Sequence, residues 1–214
     1  MAKDFVEAAE LVPAKIFIAA GGTGGHVFPG LAIADYLKQH GAEVEWLGGE
    51  KGLEQRLVVG KYPLHVMPMT AFRGGGLMRK IKVVGSLARA CWRARQILRK
   101  RQAAALLVMG GYVSAPAGLA AKSLGIPLII HEQNSVVGMA NRYLAGLATQ
   151  VFEAFPSTFP AARHAICSGN PLREVFYTQQ YQAKELTDSS LRILVIGGSQ
   201  GARAINDAVL AAHG

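Results

Sequence analysis

Residues 15–26 read KIFIAAGGTGGH, a run of apolar residues suited to a buried strand followed at once by a glycine-rich loop. Pro29 then stands where a helix favours proline, at its first position. Residues 30–40 form the helix body, with Ile33 and Leu37 one turn apart on one face, and Gly41 ends it. Downstream, short apolar stretches at 43–47, 64–68, 104–109, 127–131, 149–152 and 165–168 read as strands. Helical patterns lie between them at 77–100 (with a break expected near Gly85), 117–124 and 137–147. Strands that alternate with helices imply an α/β fold, because parallel neighbours need crossover connections. The expected architecture is a doubly wound parallel sheet that presents ligands at the carboxyl ends of its strands.

The opening unit has a second copy. Residues 191–202 read LRILVIGGSQGA, again strand and glycine loop, and a helix is expected over 204–212. Two copies suggest two similar Rossmann-like domains. The division expected is an extension at 1–14, a first domain at 15–177, a polar linker at 178–190 and the start of a second domain at 191–214. One strand and one helix bury too little apolar surface to fold alone, so the second domain is expected to be incomplete in this chain.

Half of the 214 residues are hydrophobic, and 23 basic against 14 acidic residues give a formal charge of +9. That balance calls for an anionic partner: nucleic acid, acidic lipid or a phosphorylated ligand. Cys91 and Cys167 form neither a CxxC pair nor a disulfide framework, which favours a reducing compartment. The first thirteen residues carry Asp4, Glu7 and Glu10 and do not resemble a signal peptide. No apolar run approaches the ~20 residues of a membrane span. The expectation is a cytoplasmic protein able to lie on a membrane. The four aspartates make no DxD pair, the histidines show no ligand spacing, and there is neither a phosphate-loop lysine motif, an RNA-binding aromatic signature nor a serine elbow. Metal, cofactor and nucleic acid are therefore not expected.

Four unusual loops follow directly on strands: GGTGGH (21–26), GGYVSAP (110–116), HEQN (131–134) and SGNPLR (168–173). In GGTGGH the glycines let a ligand approach the backbone, and the following helix N-terminus favours an anion. Val27 occupies the place of the last glycine of the dinucleotide fingerprint, yet Glu50 lies near where that fingerprint wants an acid. A nicotinamide-dependent oxidoreductase domain thus stays open as an alternative. His26 is placed to be a general base or merely to pack on the helix. In HEQN, Glu132 could bind hydroxyls or act as a base, while Asn134 could bind sugar or phosphate or cap a helix. Arg173 could pair with a pyrophosphate or simply face water. Ser199 supplies the hydroxyl of GGSQGA. The basic helix at 77–100 interleaves Leu77, Ile81, Val84, Leu87 and Trp92 with arginines and lysines. It fits an interfacial helix on anionic lipid, or a core helix with a solvated basic face.

The ordered set GGTGGH, GGYVSAP, HEQN, GNPLR and GGSQGA resembles the MurG family from about residue 14 onward. Those are bacterial UDP-N-acetylglucosamine transferases of peptidoglycan synthesis with the two-domain GT-B fold. The resemblance implies transfer of N-acetylglucosamine, with inversion, from UDP-N-acetylglucosamine to the lipid-linked N-acetylmuramyl-pentapeptide, lipid I, making lipid II. It places donor contacts at Thr23, Gly24, Gly25, Asn134, Arg173 and Ser199. The acceptor pyrophosphate falls at Gly22, Gly110, Gly111 and Tyr112, and His26 matches the family's candidate base, with Glu132 still open as the other candidate. It also implies a membrane-facing patch at Leu77, Ile81, Val84, Leu87 and Trp92, and peripheral attachment to the cytoplasmic face of the inner membrane. Ala115 departs from the family's usual glycine, a change expected to be tolerated unless positive φ is needed. Because most uracil and sugar contacts of that family lie in its second domain, this chain alone is expected to transfer sugar poorly or not at all.

Overall fold

The computed structural model describes residues 14–68, 77–178, 193–197 and 202–213. They divide into two compact units, Met1–Tyr177 and Thr178–Gly214. The first unit contains seven parallel strands: β1 Lys15–Ala20, β2 Glu43–Gly49, β3 Leu64–Met67, β4 Ala105–Gly110, β5 Leu128–Glu132, β6 Gln150–Glu153 and β7 Ile166–Cys167. Their order across the sheet is β3-β2-β1-β4-β5-β6-β7. The chain winds outward in one direction from β1 and then in the other from β4, so the doubly wound α/β expectation holds. The connections from these two neighbouring strands lead to opposite sides, which makes their carboxyl ends the switch point, where such sheets bind ligands.

Alternation along the strands sends side chains to two separate cores. Phe17, Ala19, Leu47, Leu106 and Val108 pack against α3 (Leu77–Lys100), α4 (Ser114–Ser123) and α5 (Met139–Leu144) through residues such as Ala94, Leu98, Ala117 and Leu144. Ile18, Ala20, Trp46, Leu107 and Met109 face the other way, toward Val27, Leu31 and Ala34 of α1 (Gly24–Gln39). Gly30 is needed there, since a Cβ would lie 2.8 Å from the Trp46 ring. Shorter helices α2 (Glu54–Leu57) and α6 (Val175–Thr178), absent from the sequence reading, fill the remaining connections.

Three expectations are corrected. First, α1 begins at Gly24, not after Pro29, which lies inside it. Gly24, Gly25 and His26 of GGTGGH therefore form the first turn of the helix, while Gly21 and Gly22 stay in the loop before it. Second, α3 runs unbroken through Gly85, held by Ala90, Ala94, Ile97 and Leu98 on its buried face. Third, of the strand expected at 191–196, the described residues 193–196 are not in a strand. A lone strand has no neighbour to take up its backbone hydrogen bonds. The second unit does contain a helix, α7 (Arg203–His213), with an Arg203–Asp207 pair at 3.8 Å.

At the amino edge of the sheet, Glu45 is only 2% exposed. Arg101 Nε donates to both its oxygens at 3.0 Å, His65 Nε2 lies 2.6 Å away and Lys15 Nζ 3.7 Å. Burial pushes the carboxyl up, but the hydrogen bonds and charges of Arg101 and His65 outweigh it and hold the group below its ordinary range. The folded state therefore binds this proton less readily than the unfolded one. Its stabilisation is complete above the ordinary carboxylate pKa and drains away as pH falls through the lower folded value. Urea midpoints measured from pH 7 to pH 3 are expected to fall more steeply for the wild type than for Glu45→Gln. Parallel curves would show that this cluster does not set the acid limit.

Candidate active site

The loops after β1 and β4 meet edge to edge. Gly111, at φ +85, lies so close to Gly21 that a Cβ would stand 2.3 Å from the Gly21 carbonyl oxygen. Gly110, at φ +112, leaves room for the imidazole of His26: a Cβ there would be 2.7 Å from the ring. Two glycines in a row thus allow the two loops and the histidine to share one place. Ser114 fixes the second loop from inside, accepting from Gly110 N at 3.1 Å and donating to Gly110 O at 2.7 Å.

His26 Nδ1 is 3.2 Å from Thr23 Oγ1. Burial lowers the His26 pKa, opposed in part by the charge of Glu132 and the carbonyl of Gly21. The imidazole is therefore neutral at neutral pH. It opens onto a cavity of about 560 Å³ whose walls include Gly110, Gly111, Tyr112 and Glu132, and whose apolar side is Leu119, Met139 and Tyr143. Ala115 also lines it, at the start of α4 and without positive φ, so the extra methyl is accommodated.

Glu132 is fully buried and its acceptor capacity is taken up. Oε1 accepts from Asn134 N at 3.1 Å and Asn134 Nδ2 at 2.8 Å; Oε2 accepts from Gly138 N at 3.0 Å and Asn141 Nδ2 at 2.9 Å. Its local work is to fasten residues 132–141 beneath the cavity. His131 ties the same loop to the next one: Nε2 contacts Gly169 O at 3.0 Å, and Asn170 Nδ2 donates to Gln133 O at 3.2 Å.

On the other side of the first turn of α1 is a second cavity, of about 440 Å³. Gly24, Gly25, Asn134 and Arg173 all line it. The Arg173 guanidinium stacks over Phe28 at 5.2 Å and Phe176 at 5.1 Å, which holds it at the rim. The first amides of a helix lack intrahelical partners, so this wall offers donors beside a cation. Four of the six residues expected to contact the donor are thus together here, Thr23 is adjacent with its hydroxyl on His26, and Ser199 lies outside the described residues.

Gly22 lines neither of these two cavities, and its amide is engaged inside the protein, donating to Glu54 Oε2 at 3.0 Å. The sequence reading missed Glu54 entirely and looked to Glu50, which is exposed. The available signal was a lone acid set among Leu53, Leu57 and Val58 on the inner side of a helical turn. Of the expected surface patch, Val84 and Trp92 are exposed and Leu87 is half-buried, while the side chains of Leu77 and Ile81 lie outside the described residues. Among the described residues no helix is long and apolar enough to cross a membrane.

Sheet order, paired glycine loops and the two clefts beside them define a Rossmann-like ligand-binding domain, here with a neutral histidine at the switch point. The chain belongs to glycosyltransferase family 28, whose N-terminal domain matches residues 16–153. It is 48% identical over 193 residues to a UDP-N-acetylglucosamine–N-acetylmuramyl-(pentapeptide) pyrophosphoryl-undecaprenol N-acetylglucosamine transferase of Methylococcus capsulatus, covering 90% of this chain and 54% of that protein. A Coxiella burnetii protein of the same name is 46% identical over 200 residues, with 92% and 56% covered. The crystal structure of Acinetobacter baumannii MurG superposes with a TM-score of 0.74 at 40% identity, over 91% of this chain and 55% of that one. A Rickettsia bellii UDP-N-acetylglucosamine 2-epimerase, at TM-score 0.54 and 13% identity, shares the fold. The MurG-family resemblance and the GT-B class of this first domain are thereby established. The chain spans about half the length of the curated relatives it matches. Nothing in these relationships favours the oxidoreductase alternative.

Proposed function

We propose that the protein containing this chain is an inverting hexosyltransferase that moves N-acetylglucosamine from UDP-N-acetylglucosamine to lipid I, giving lipid II for peptidoglycan synthesis. The observation that carries this reading is the position of His26, on a helix turn set between two clefts of different character. One is apolar-walled and edged by the glycines of the second loop, suited to a lipid-linked pyrophosphate acceptor. The other combines helix N-terminal amides with Asn134 and Arg173, suited to the donor. His26 takes the proton of the attacking acceptor hydroxyl as the bond to UDP breaks on the opposite face of the sugar. Helix dipole, loop amides and Arg173 then stabilise the departing diphosphate. Glu132 serves as a positioning residue, because a proton on either oxygen would face N–H donors already aimed at it.

In this reading the second, donor-binding domain expected from 191 follows the linker expected at 178–190; residues 179–192 and Ser199 lie outside the described residues. The exposed Val84 and Trp92, beside Arg89 and Arg93, seat the protein peripherally on anionic lipid at the cytoplasmic face of the inner membrane.

The test is a transfer assay with labelled UDP-N-acetylglucosamine and lipid I, run on this chain and on the full-length protein. Lipid II is expected from the full-length protein and little or none from this chain. A folded full-length protein that makes no lipid II would refute the assignment.

A further inference from the structure

Glu54 is a buried carboxylate beside the glycine loops that the proposed chemistry leaves unused. Its side chain is fully buried, and glycines surround it. A Cβ would stand 2.7 Å from Oε1 at Gly21, 2.2 Å from Oε2 at Gly52 and 2.8 Å from Cγ at Gly48. The carboxylate accepts from Gly22 N and Gly49 N, each at 3.0 Å. Tyr112 completes the seat: its hydroxyl donates to Lys51 O at 2.6 Å and lies 3.4 Å from Glu54 Oε1. Its ring sits where a Cβ on Gly49 would be, 2.0 Å from the hydroxyl oxygen. Burial, with Glu54 beside it, pushes the Tyr112 phenol up to about 12, so the hydroxyl keeps its proton and remains a donor.

One side chain thus joins three places: the loop after β1 through Gly22, the last residue of β2 through Gly49, and the loop after β4 through Tyr112. Gly22 holds φ +91 one residue before Thr23, whose hydroxyl meets His26. Tyr112 and Gly111 form a wall of the His26 cavity. An anion in this position does internally what a bound phosphate does at other glycine loops: it gathers backbone N–H groups around a negative charge.

We propose that Glu54 is a positioning residue for the acceptor site, an internal anion that sets the GGTGGH loop and Tyr112 in register so that the second glycine loop receives the acceptor pyrophosphate. This rests on the proposed acceptor role of the His26 cavity. Glu54 reaches the substrate only through Gly22 and Tyr112. Its loss should therefore appear in acceptor affinity and leave donor affinity alone, since the donor cleft is on the far side of the α1 turn.

Two variants of the full-length protein test this. Glu54→Gln keeps the volume but turns an amide N–H toward a backbone N–H. Gly52→Ala keeps the charge and pushes the carboxylate from its seat, from a residue lining neither cavity. Both are expected to raise KM for lipid I more than about tenfold, with KM for UDP-N-acetylglucosamine unchanged within about twofold. A readout without turnover accompanies this: titration of inorganic pyrophosphate, followed by the amide resonances of Gly110 and Gly111. Weaker pyrophosphate binding in both variants supports the proposal even if no transfer is seen in the wild type, an outcome that would strike the functional reading alone. Unchanged acceptor KM and pyrophosphate affinity in folded variants would overturn it, as would equal losses for donor and acceptor. A wild type that binds no pyrophosphate at these glycines would also overturn it.

Discussion

Replacing His26 by alanine is expected to lower kcat of the full-length protein by about 10²–10⁴, the usual contribution of a positioned general base. KM for either substrate should change little, because in the proposed reaction the ring meets the reacting hydroxyl and not the diphosphates. The wild-type pH profile supplies the sign. A base acts only when unprotonated, and burial holds His26 below its ordinary 6.5. The rate should therefore stay level as pH drops past 6.5 and fall only below that, through the lower value. An alanine variant still folded by circular dichroism, with kcat within tenfold of wild type, would exclude His26 as the base. So would an acid limb centred above 6.5.

Gly111→Ala is expected to be among the most destabilising single changes in the first unit. Positive φ costs an alanine roughly 1–2 kcal/mol, and its methyl would meet the Gly21 carbonyl at 2.3 Å. Neither backbone can yield without moving its strand, so overpacking adds about 1–3 kcal/mol more. At ~2–4 °C per kcal/mol for a domain of this size, the melting temperature should fall by about 10 °C. Gly125→Ala isolates the contact, since Gly125 also has positive φ, +69, with nothing within 4 Å of a Cβ. It should show the strain alone. If both variants melt together, the meeting of the two loops contributes nothing beyond local backbone geometry.

The sheet was legible because burial on both faces leaves near-continuous apolar strands, such as KIFIAA at Lys15–Ala20, and because glycine and proline punctuate the loops at their ends. That the strands are parallel, too, followed from alternation with helices, whereas their order did not. Boundaries moved where local signals competed: Pro29 pointed to a late helix start, but the first turn had already formed on the flexible glycines. Four of the expected donor contacts converge around one cleft, while His26, Gly110, Gly111 and Tyr112 converge around the other. The linear pattern concealed long-range pairing. Glu54 meets Gly22 across 32 positions and Tyr112 across 58. A lone glutamate in an amphipathic turn carries no mark of which distant amides will surround it. Glu132 was hidden in the opposite sense, because an acid at a strand end looks available until its neighbours' donors are placed.

Lys15, Glu43 and Glu45 stand at the beginnings of β1 and β2, and the glycine loops stand where β1 and β4 end. Strands of six residues put about 20 Å between these ends. Changes at the two edges share no partners, so their effects on melting should sum without a cross-term. The charged edge is thus a reserve from which evolution or an engineer can offset a costly substitution in the glycine loops. Selection for a new acceptor could proceed at one end while thermal tolerance is restored at the other.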